Sequence, residues 1–471
     1  MTIKTQALDE LRSVVGSKWV LTGRADLETY ASDGLPTHHA NPGAVVLPGT
    51  RDEVVGVIKV LSHHGIPVVA RGAGTGLSGG ALAAEQSVLL VLTRLNHILE
   101  IDPANRIAVV EPGVVNVQLS AEAERYGLHY APDPASQAVC TIGGNVAENA
   151  GGPHCLKYGV TTDHVLAIEV VLSNGEVVML GAECGEPWGP NLVGLFVGSE
   201  GAFGVATRIT VRLTPSASAV RTVLAVFPSM RVAGQAVTNV IASGIVPAAL
   251  EMMDKNCIAA VEASSYGAGY PKDAAAVLIV EIDGRDEEPV ADDTRKVEAI
   301  LRDSGATDVQ SGSDPEQRAR LWQGRKKAFG AMGRISPDLR IQDAVVPRSA
   351  LPDILEHVDQ IAEKYSLSIC NVFHAGDGNL HPNINLDSSD PDQAQRVEKA
   401  SAEIMQACIA AGGTISGEHG VGTEKLHLMS LVFDSVALEI QQEVRGVFDP
   451  DHMANPGKAI PPVGHEVSIG G

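Results

Sequence analysis

The chain lacks the charge pattern and the long apolar segments of nucleic-acid-binding and membrane-spanning proteins. Its 471 residues include 35 Lys and Arg against 57 Asp and Glu, which gives a formal net charge of -22. A negative charge of this size repels nucleic-acid phosphates and anionic lipids, and no basic cluster offsets it. No apolar run approaches the roughly 18–20 residues that cross a bilayer. The sequence therefore argues against a nucleic-acid partner and against a membrane span.

Paired cysteines are also missing. The six cysteines stand at 140, 155, 184, 257, 370 and 408 without a Cys-x-x-Cys pair, so we expect no iron–sulfur cluster or thiolate zinc site in the chain itself. Isolated cysteines are typical of the reduced thiols of a cytoplasm. The first residues predict an amphipathic helix with Leu8, Leu11 and Val15 and no apolar signal segment. We therefore expect a cytoplasmic protein.

Glycine, by contrast, is concentrated in one loop. The segment 67–80 runs from apolar strand residues into a loop with glycines at 72, 74, 76, 79 and 80. Glycine has no Cβ, so successive backbone N–H groups can turn inward and bind phosphate oxygens. This loop predicts a bound nucleotide.

The same loop contains the pattern of a dinucleotide-binding Rossmann unit, from Gly74 to Gly79. A Rossmann loop opens a crossover helix of about ten residues or more before the next parallel strand. Only residues 80–86 separate this loop from the apolar run 88–92, so no crossover helix fits. We therefore predict a mixed sheet rather than a doubly wound one. A nicotinamide dehydrogenase is the least favoured function for the same reason.

The remaining pattern predicts an α+β protein in four parts. These are an N-terminal helical segment (1–42), a nucleotide-binding domain with mixed sheets (43–215), a second α+β domain (216–411) and a glycine-rich C-terminal segment (412–471). Pro215-Ser216-Ala217-Ser218 marks the central boundary. In the first domain, Asn174-Gly175 between two apolar runs predicts a β-hairpin with a type I′ turn.

Two histidines flank a tight turn in the second domain. His374 and His381 stand on either side of Gly376-Asp377-Gly378-Asn379, and a hairpin would bring both rings to one cation. Glu418 lies in the glycine-rich stretch 413–422 and offers a third ligand, because two histidines and a glutamate form a known type of catalytic metal site. Its neighbour His419 is then the candidate general base.

A further candidate lies on a predicted helix. Arg325 stands three residues after Trp322 and therefore on the same side of the helix. Its guanidinium could bind a carboxylate through two hydrogen bonds. The neighbouring Lys326 and Lys327 are interpreted as a solvated face.

Six motifs, taken in order, resemble the landmarks of one family. They are Arg71-Gly72-Ala73-Gly74-Thr75-Gly76; Pro132-Asp133-Pro134 followed by Gly143-Gly144-Asn145-Val146-Ala147; Gly198-Ser199-Glu200-Gly201 with Gly204; His374-Ala375-Gly376-Asp377-Gly378-Asn379-Leu380-His381; Gly417-Glu418-His419-Gly420; and Asn455-Pro456-Gly457-Lys458. The family is the vanillyl-alcohol-oxidase-type flavoproteins, in the branch of FAD-linked D-2-hydroxyacid dehydrogenases that includes glycolate oxidase, D-lactate dehydrogenase and D-2-hydroxyglutarate dehydrogenase. The resemblance implies a PCMH-type FAD-binding domain, a substrate or cap domain, and a C-terminal segment that returns to the flavin.

The resemblance also implies the site residues. It implies non-covalent FAD, because relatives with covalent flavin often carry a histidine in the glycine loop and residues 71–80 contain none. It implies a divalent metal (zinc, manganese or iron) on His374, His381 and Glu418, with His419 as the base. Substrate contacts would come from Arg325 and Asn383. The residues that it assigns to FAD are Arg71, Gly72, Ala73, Gly74, Thr75, Gly76, Leu77, Ser78, Pro132, Asp133, Thr141, Gly144, Asn145, Ala147, Gly151, Glu200, Gly204, Val205 and Asn455.

The activity implied is the oxidation of a small D-2-hydroxyacid to the 2-oxoacid, with the hydroxyl proton passing to His419 and the hydride to the flavin. The implied electron acceptor is an iron–sulfur subunit, a quinone, a cytochrome or an electron-transfer flavoprotein. Such a partner would also supply any contact with the inner membrane, and a homodimer is compatible with the sequence. The alternative is a flavin-carrying electron-transfer subunit that is active only within a multi-subunit glycolate oxidase complex.

The substrate is only partly indicated. Relatives that act on dicarboxylates tend to have a lysine in the stretch that matches residues 340–343, and this chain has none there. The pattern favours a monocarboxylate such as glycolate or lactate, although Arg340 and Arg348 could substitute for that lysine.

Overall fold

The computed structural model describes residues 3–35, 37–84, 86–183, 189–265, 267–271 and 273–462. Contacts divide the chain into two compact units. The first unit contains residues 1–152, 159–215 and 418–471, and the second contains residues 153–158 and 216–417. The division after residue 215 lies at the proline- and serine-rich segment noted in the sequence.

Two other divisions lie away from the domain limits expected from the sequence. Residues 412–417 belong to the second unit because Thr414 forms a β-bridge with Val345 there and the Gly417 N–H donates to Asp343. Residues 153–158 belong to it because Lys157 and Tyr158 both donate hydrogen bonds to Asp283. Local sequence patterns do not report such long-range contacts.

The first unit mixes short helices with two main sheets. Its α-helices are Thr5–Val15, Arg24–Glu28, Arg51–His64, Asn116–Ala123, Ile142–Glu148, Thr161–His164, Leu192–Phe196, Met429–Val432 and Ser435–Phe448. Its 3-10 helices are Ser17–Trp19, Glu124–Tyr126 and Leu426–Leu428. Its strands are Val20–Leu21, Ala44–Val46, Val68–Arg71, Val88–Val91, Ile98–Asp102, Ile107–Val110, Leu128–His129, Val165–Val171, Val177–Gly181, Val205–Arg212 and Thr214–Pro215.

The sheet that leads into the glycine loop is mixed, as predicted. Ala44–Val46 pairs antiparallel with Val20–Leu21 and parallel with Val88–Val91, which also pairs parallel with Val68–Arg71. No helix occurs among the described residues of the connection from 72 to 87. The parallel pair is therefore joined by the loop itself, which leaves the loop's main chain available at the end of the strand.

One helix shows how local sequence determines this unit. Arg51–His64 begins where the Thr50 hydroxyl accepts from the Glu53 N–H at 3.1 Å, and it ends at Gly65, which has a left-handed φ of 62°. The Glu53 carboxylate accepts from the Gly49 N–H, one residue before the position that a capping box uses. The helix buries Val54, Val57, Ile58 and Leu61, and a fully buried side chain of this size stabilises the fold by about 1.5–3 kcal/mol.

The second sheet of this unit has five antiparallel strands, in the order Ile98–Asp102, Ile107–Val110, Val205–Arg212, Val165–Val171 and Val177–Gly181. The predicted hairpin is present, but its predicted type I′ turn is wrong. Of the two central residues only Gly175 has a positive φ, at 82°, whereas a type I′ turn needs two. The Gly175 N–H donates to the Leu172 carbonyl, and Leu172 pairs with Glu176 across a three-residue loop.

The second unit is built on a sheet of antiparallel strands. Its helices are Cys155–Tyr158, Met230–Ala242, Lys255–Glu262, Glu287–Asp303, Pro315–Met332, Arg348–Ala350 (3-10), Leu351–Tyr365 and Pro391–Ala410. Its strands are Ala219–Phe227, Ala249–Asp254, Ala276–Gly284, Asp308–Gly312, Asp338–Ile341, Ala344–Val345, Ser368–His374, Asn379–Leu380 and Pro382–Leu386.

The order of the central strands positions the polar residues of the second unit. It runs Asp308–Gly312, Ala219–Phe227, Ala276–Gly284, Ala249–Asp254 and Ser368–His374. Ser368–His374 also pairs with the two short strands that follow it, Asn379–Leu380 and Pro382–Leu386. In this register Glu251 lies directly opposite His374.

No helix among the described residues is both long and apolar enough to cross a bilayer.

Candidate active site

The glycine loop and two other glycine-rich segments of the first unit line one cleft, which we call the glycine cleft. It holds about 1320 Å³ of space not filled by protein atoms, part of it open to solvent. Within the described part of the chain, the N–H groups of residues 72–77 donate no hydrogen bond to a main-chain carbonyl outside the regular helices and strands. A row of such donors at the end of a strand forms a nest for an anion.

The glycines of the loop are required by close packing as well as by main-chain course. A Cβ on Gly72 would lie 2.3 Å from the Thr141 hydroxyl, and a Cβ on Gly74 would lie 2.2 Å from the Arg71 guanidinium. Gly74 also has a φ of 73°, which favours glycine. Arg71 is held in place by the Ser32 carbonyl at 2.8 Å. A side chain at either position would therefore require the loop or the contacted side chain to shift.

Most of the residues assigned to FAD from the sequence line this cleft. They are Arg71, Gly72, Ala73, Gly74, Thr75, Gly76, Leu77, Thr141, Gly144, Asn145, Ala147, Gly151, Glu200, Gly204 and Val205. Ser78, Pro132, Asp133 and Asn455 are not among its lining residues. The Asn455 amide instead holds the main chain of two segments that line the cleft. Its Nδ2 donates to the Gly80 carbonyl at 3.1 Å and to the Glu200 carbonyl at 2.5 Å.

The C-terminal segment contributes two of the predicted site residues to the same cleft. Glu418 and His419 both line it. The segment is fixed by the residues that follow, since the N–H groups of Thr423 and Glu424 donate to the Ser78 carbonyl. The candidate base and the nucleotide loop thus lie in one cavity, although His419 stands 338 positions after Ala81 in the sequence.

Buried polar side chains of the second unit form a group that we call the histidine cluster, made of Glu251, Arg325, His374, His381 and Asn383. Glu251 lies at its centre and is fully buried. One carboxylate oxygen, Oε1, is 2.7 Å from His374 Nδ1, and the other, Oε2, accepts from Arg325 Nε at 2.7 Å. Burial alone would raise the pKa of Glu251, but the His374 and Arg325 charges and their hydrogen bonds hold that pKa below its usual value.

The two histidines of the cluster lie side by side. Their ring centroids are 5.4 Å apart with the planes near perpendicular. His381 Nδ1 is 3.0 Å from the Gln342 carbonyl, and His374 Nδ1 faces Glu251. In a neutral ring, a proton on Nδ1 leaves Nε2 as the nitrogen that can bind a metal, and a carboxylate or carbonyl behind the ring is the usual support of a metal-binding histidine.

Asn383 and Asp343 complete the surroundings of the histidines. Asn383 Nδ2 donates to the Cys370 and His381 carbonyls, while its buried Oδ1 has no hydrogen-bond partner in the part of the chain that the structure describes. Asp343, also fully buried, accepts from the Ser416 hydroxyl at 2.7 Å and from the Gly417 N–H. Asp343 therefore fixes the two residues that precede Glu418 in the chain.

Arg325 lies deeper than the sequence indicated. It is 7% exposed, and Nε and Nη2 both contact Glu251. Sequence reasoning did not select Glu251. Its signal was a lone glutamate inside the otherwise apolar run Ala249-Leu250-Glu251-Met252-Met253, because a carboxylate on a buried strand needs charged or hydrogen-bonding partners.

Comparison with known families decides the identity of the chain. The family described as FAD binding domain matches residues 42–181, and the family described as FAD linked oxidases, C-terminal domain, matches residues 216–459. The chain belongs to the FAD-linked oxidases. The glycine cleft of this oxidase fits FAD, because its loop offers main-chain donors and close-packed glycines where a pyrophosphate would bind.

Curated relatives define the branch of this oxidase more closely. The glycolate oxidase subunit GlcD of Escherichia coli (strain K12) is 46% identical over 458 residues, which are 97% of this chain and 91% of the relative. A D-lactate dehydrogenase of Anaerostipes hadrus is 33% identical over 94% of this chain and 95% of the relative. The chain is therefore an FAD-linked hydroxyacid oxidoreductase.

The fold of the oxidase is shared with solved structures of low sequence identity. The structure of p-cresol methylhydroxylase with substrate bound superimposes with a TM-score of 0.83 at 19% sequence identity, covering 97% of this chain and 96% of that one. The predicted PCMH-type FAD-binding fold with α+β content is thereby confirmed.

Proposed function

We propose that this oxidase converts a small D-2-hydroxyacid, of the glycolate or D-lactate type, to the corresponding 2-oxoacid, with non-covalent FAD and one divalent cation. The observation that carries the proposal is that His419 lines the same cleft as the glycine loop. A proton acceptor and a redox cofactor in one cavity are what the oxidation of an alcohol requires.

The glycine cleft would bind FAD through the main chain. The N–H groups of residues 72–77 would hold the pyrophosphate, and the loops around Gly144 and Gly204 would enclose the remaining parts of the cofactor. Bound FAD supplies a two-electron acceptor for the hydrogen at C2 of the substrate. The absence of histidine from residues 71–80 supports a non-covalent cofactor.

His419 would accept the hydroxyl proton of the substrate. General-base assistance of this kind typically contributes about 10²–10⁴-fold to a rate. Arg325 would contact the substrate carboxylate, and because Nε and Nη2 are engaged with Glu251, that contact would use Nη1. The unpartnered Oδ1 of Asn383 is a further polar atom in the same unit as Arg325.

His374, His381 and Glu418 would hold the divalent cation, with zinc, manganese and iron as the candidates. The support is that each histidine ring has an acceptor behind Nδ1, and that Asp343 fixes the residues next to Glu418 in the chain. Such a cation polarises the substrate hydroxyl and lowers its pKa.

An alternative is that the chain carries flavin but is active only within an assembly. The observation that favours it is that the Escherichia coli relative is a subunit of glycolate oxidase. In that case an iron–sulfur subunit, a quinone, a cytochrome or an electron-transfer flavoprotein would take the electrons. A cytoplasmic location, membrane contact through a partner and a homodimer also stay predictions.

An anaerobic screen tests the proposal. Purified FAD-loaded protein is mixed with glycolate, D-lactate, L-lactate and D-2-hydroxyglutarate, and the loss of visible flavin absorbance is followed. We expect rapid bleaching by glycolate or D-lactate and little by L-lactate. Bleaching that requires a second polypeptide would favour the assembly, and a flavin that none of the acids reduces, with or without partners, would contradict the substrate class.

A further inference from the structure

Two glutamates meet beneath the turn that follows His419. Glu148 ends the helix Ile142–Glu148, and Glu200 lies between Ser199 and Gly201; both line the glycine cleft. A Cβ on Gly420 would lie 2.3 Å from Glu148 Oε2 and 2.9 Å from Glu200 Oε1. Both carboxyl groups therefore pack against the same glycine, one residue after the proposed base.

Glu200 holds this turn through two hydrogen bonds. Its Oε1 accepts from the Val421 N–H at 2.6 Å and its Oε2 accepts from the Gly422 N–H at 2.7 Å. Glu200 also has a left-handed φ of 52°, which is unfavourable for a residue other than glycine. A glycine at this position would relieve the backbone strain, but it has no carboxylate to accept the two hydrogen bonds from the turn.

Glu148 stands in a different environment. Its residue surface is half-buried, but its Oε2 is fully buried and has no hydrogen-bond partner in the described part of the chain. The charged groups that face it are Glu200, Asp33, Lys458 and Lys425. Burial, followed by the negative charges of Glu200 and Asp33, raises the pKa of Glu148 well above its usual value, and the two lysines oppose this only in part.

Two adjacent buried carboxyl groups do not both ionise readily, and the proton stays on the one whose anion is less well solvated. Burial raises the pKa of Glu200 as well, but two N–H donors stabilise its anion, whereas Glu148 has none for Oε2. A proton on Glu148 also removes the repulsion that would otherwise push the two carboxyl groups, and the turn between them, apart.

We propose that Glu148 and Glu200 are positioning residues for His419. A protonated Glu148 beside an ionised Glu200 holds the turn Gly420–Val421–Gly422, and this turn fixes His419 in the glycine cleft. The catalytic part of this inference rests on the proposed role of His419. The arrangement of the two carboxyl groups does not, and it can be tested without turnover.

The first experiment compares the melting temperatures of FAD-loaded wild type and Glu148→Gln between pH 5 and pH 8. A carboxyl whose folded pKa is raised contributes stability that is complete below its unfolded pKa, about 4.3, and that is lost as pH rises toward the folded pKa. Glutamine does not titrate. The variant should therefore gain on wild type as pH rises, by about 2–5 °C over this range. Glu122→Gln, at an exposed site of the same unit, should show no such trend. A difference that is constant with pH, or that shrinks, would overturn the proposal.

The second experiment measures anaerobic flavin reduction by the acid that bleaches wild type most rapidly. Glu200→Gln loses one of the two acceptors of the turn and should keep FAD. The limiting rate of flavin reduction should fall on the order of 10–100-fold, because a small displacement of the base is costly, and the substrate concentration for half-maximal rate should change little. Glu148→Gln imitates the protonated acid, so it should keep the turn in place and lose less rate than Glu200→Gln. Wild type should lose rate at alkaline pH, where Glu148 ionises beside Glu200, and Glu148→Gln should lack that loss.

The outcomes separate this inference from the proposed function. Wild-type rates in Glu200→Gln, or an unchanged alkaline fall in Glu148→Gln, would overturn the positioning role. If no hydroxyacid reduces the wild-type flavin, the proposed function fails, and the melting temperatures alone still decide whether Glu148 is protonated beside Glu200. If Glu200→Gln does not fold, the melting temperatures of wild type and Glu148→Gln still decide whether Glu148 is protonated.

Discussion

The glycine cleft is built from main chain, whereas the histidine cluster is built from side chains. In the cleft, residues 72–77 present N–H groups, and Gly72 and Gly74 allow segments to approach to distances that a Cβ would prevent. In the cluster, Glu251, Arg325 and His374 are buried charged or polar groups from three separate elements. A main-chain site needs a continuous motif, and a side-chain site needs strands and helices brought together by folding.

The two regions should therefore fail in different ways. A change in the cleft should alter cofactor binding or chemistry and leave the second unit folded, since the loop carries little buried apolar surface. A change at the centre of the cluster should lower stability first, because buried charges that lose a partner are expensive.

The largest expected effect is that of His419→Ala. The variant should keep FAD and lose about 10²–10⁴-fold in the rate of flavin reduction, because the proposed base is removed and the cleft remains. Stopped-flow absorbance measures the rate, and the absorbance of the purified protein measures FAD content. His427→Ala, an exposed histidine of the same unit, is the matched control and should react like wild type. A wild-type rate in His419→Ala would remove this residue from the mechanism.

The next effect is that of Glu251→Gln on stability. The change leaves Arg325 buried without its counter-charge, which should cost about 3–5 kcal/mol in the free energy of unfolding, measured by denaturant titration. Glu356→Gln removes one of the two carboxylate partners of the exposed Arg231 in the same unit and should cost less than about 1 kcal/mol.

The metal content of Glu251→Gln, measured by elemental analysis, tests the proposed metal site. If His374 binds a cation, loss of the acceptor behind Nδ1 should weaken metal binding about 10–100-fold. Equal stability in the two glutamate variants would mean that the buried cluster does not depend on its central charge, and full metal content in Glu251→Gln would argue against the proposed metal site.

The smallest of the three effects is that of Gly74→Ala on FAD affinity. The added Cβ should displace the Arg71 guanidinium and weaken FAD binding about tenfold or more, equivalent to about 1.4 kcal/mol. Gly65→Ala is the matched control, because Gly65 also has a positive φ but a Cβ there would meet nothing within 4 Å. FAD released by acid precipitation gives the cofactor content of each protein. Flavin that stays on the denatured wild-type polypeptide would contradict non-covalent binding.

The sequence by itself determined the features that depend on neighbours in the chain. The cap at Thr50, the helix end at Gly65, the mixed first sheet and the absence of a helix between the glycine loop and Val88 all follow from short-range patterns of polarity and turn residues. The glycine loop was recognisable for the same reason, since its function is carried by the course of consecutive residues.

Tertiary structure decided where isolated polar residues lie. Glu251 becomes the partner of both Arg325 and His374 only because its strand pairs with Ser368–His374 in one particular register. Glu148 and Glu200 meet at Gly420 only because the C-terminal segment returns to the first unit after more than 200 intervening residues. A single glutamate has the same local signal whether it is exposed, paired or protonated. Burial and the charges around it set its pKa and its role, and both are properties of the folded chain.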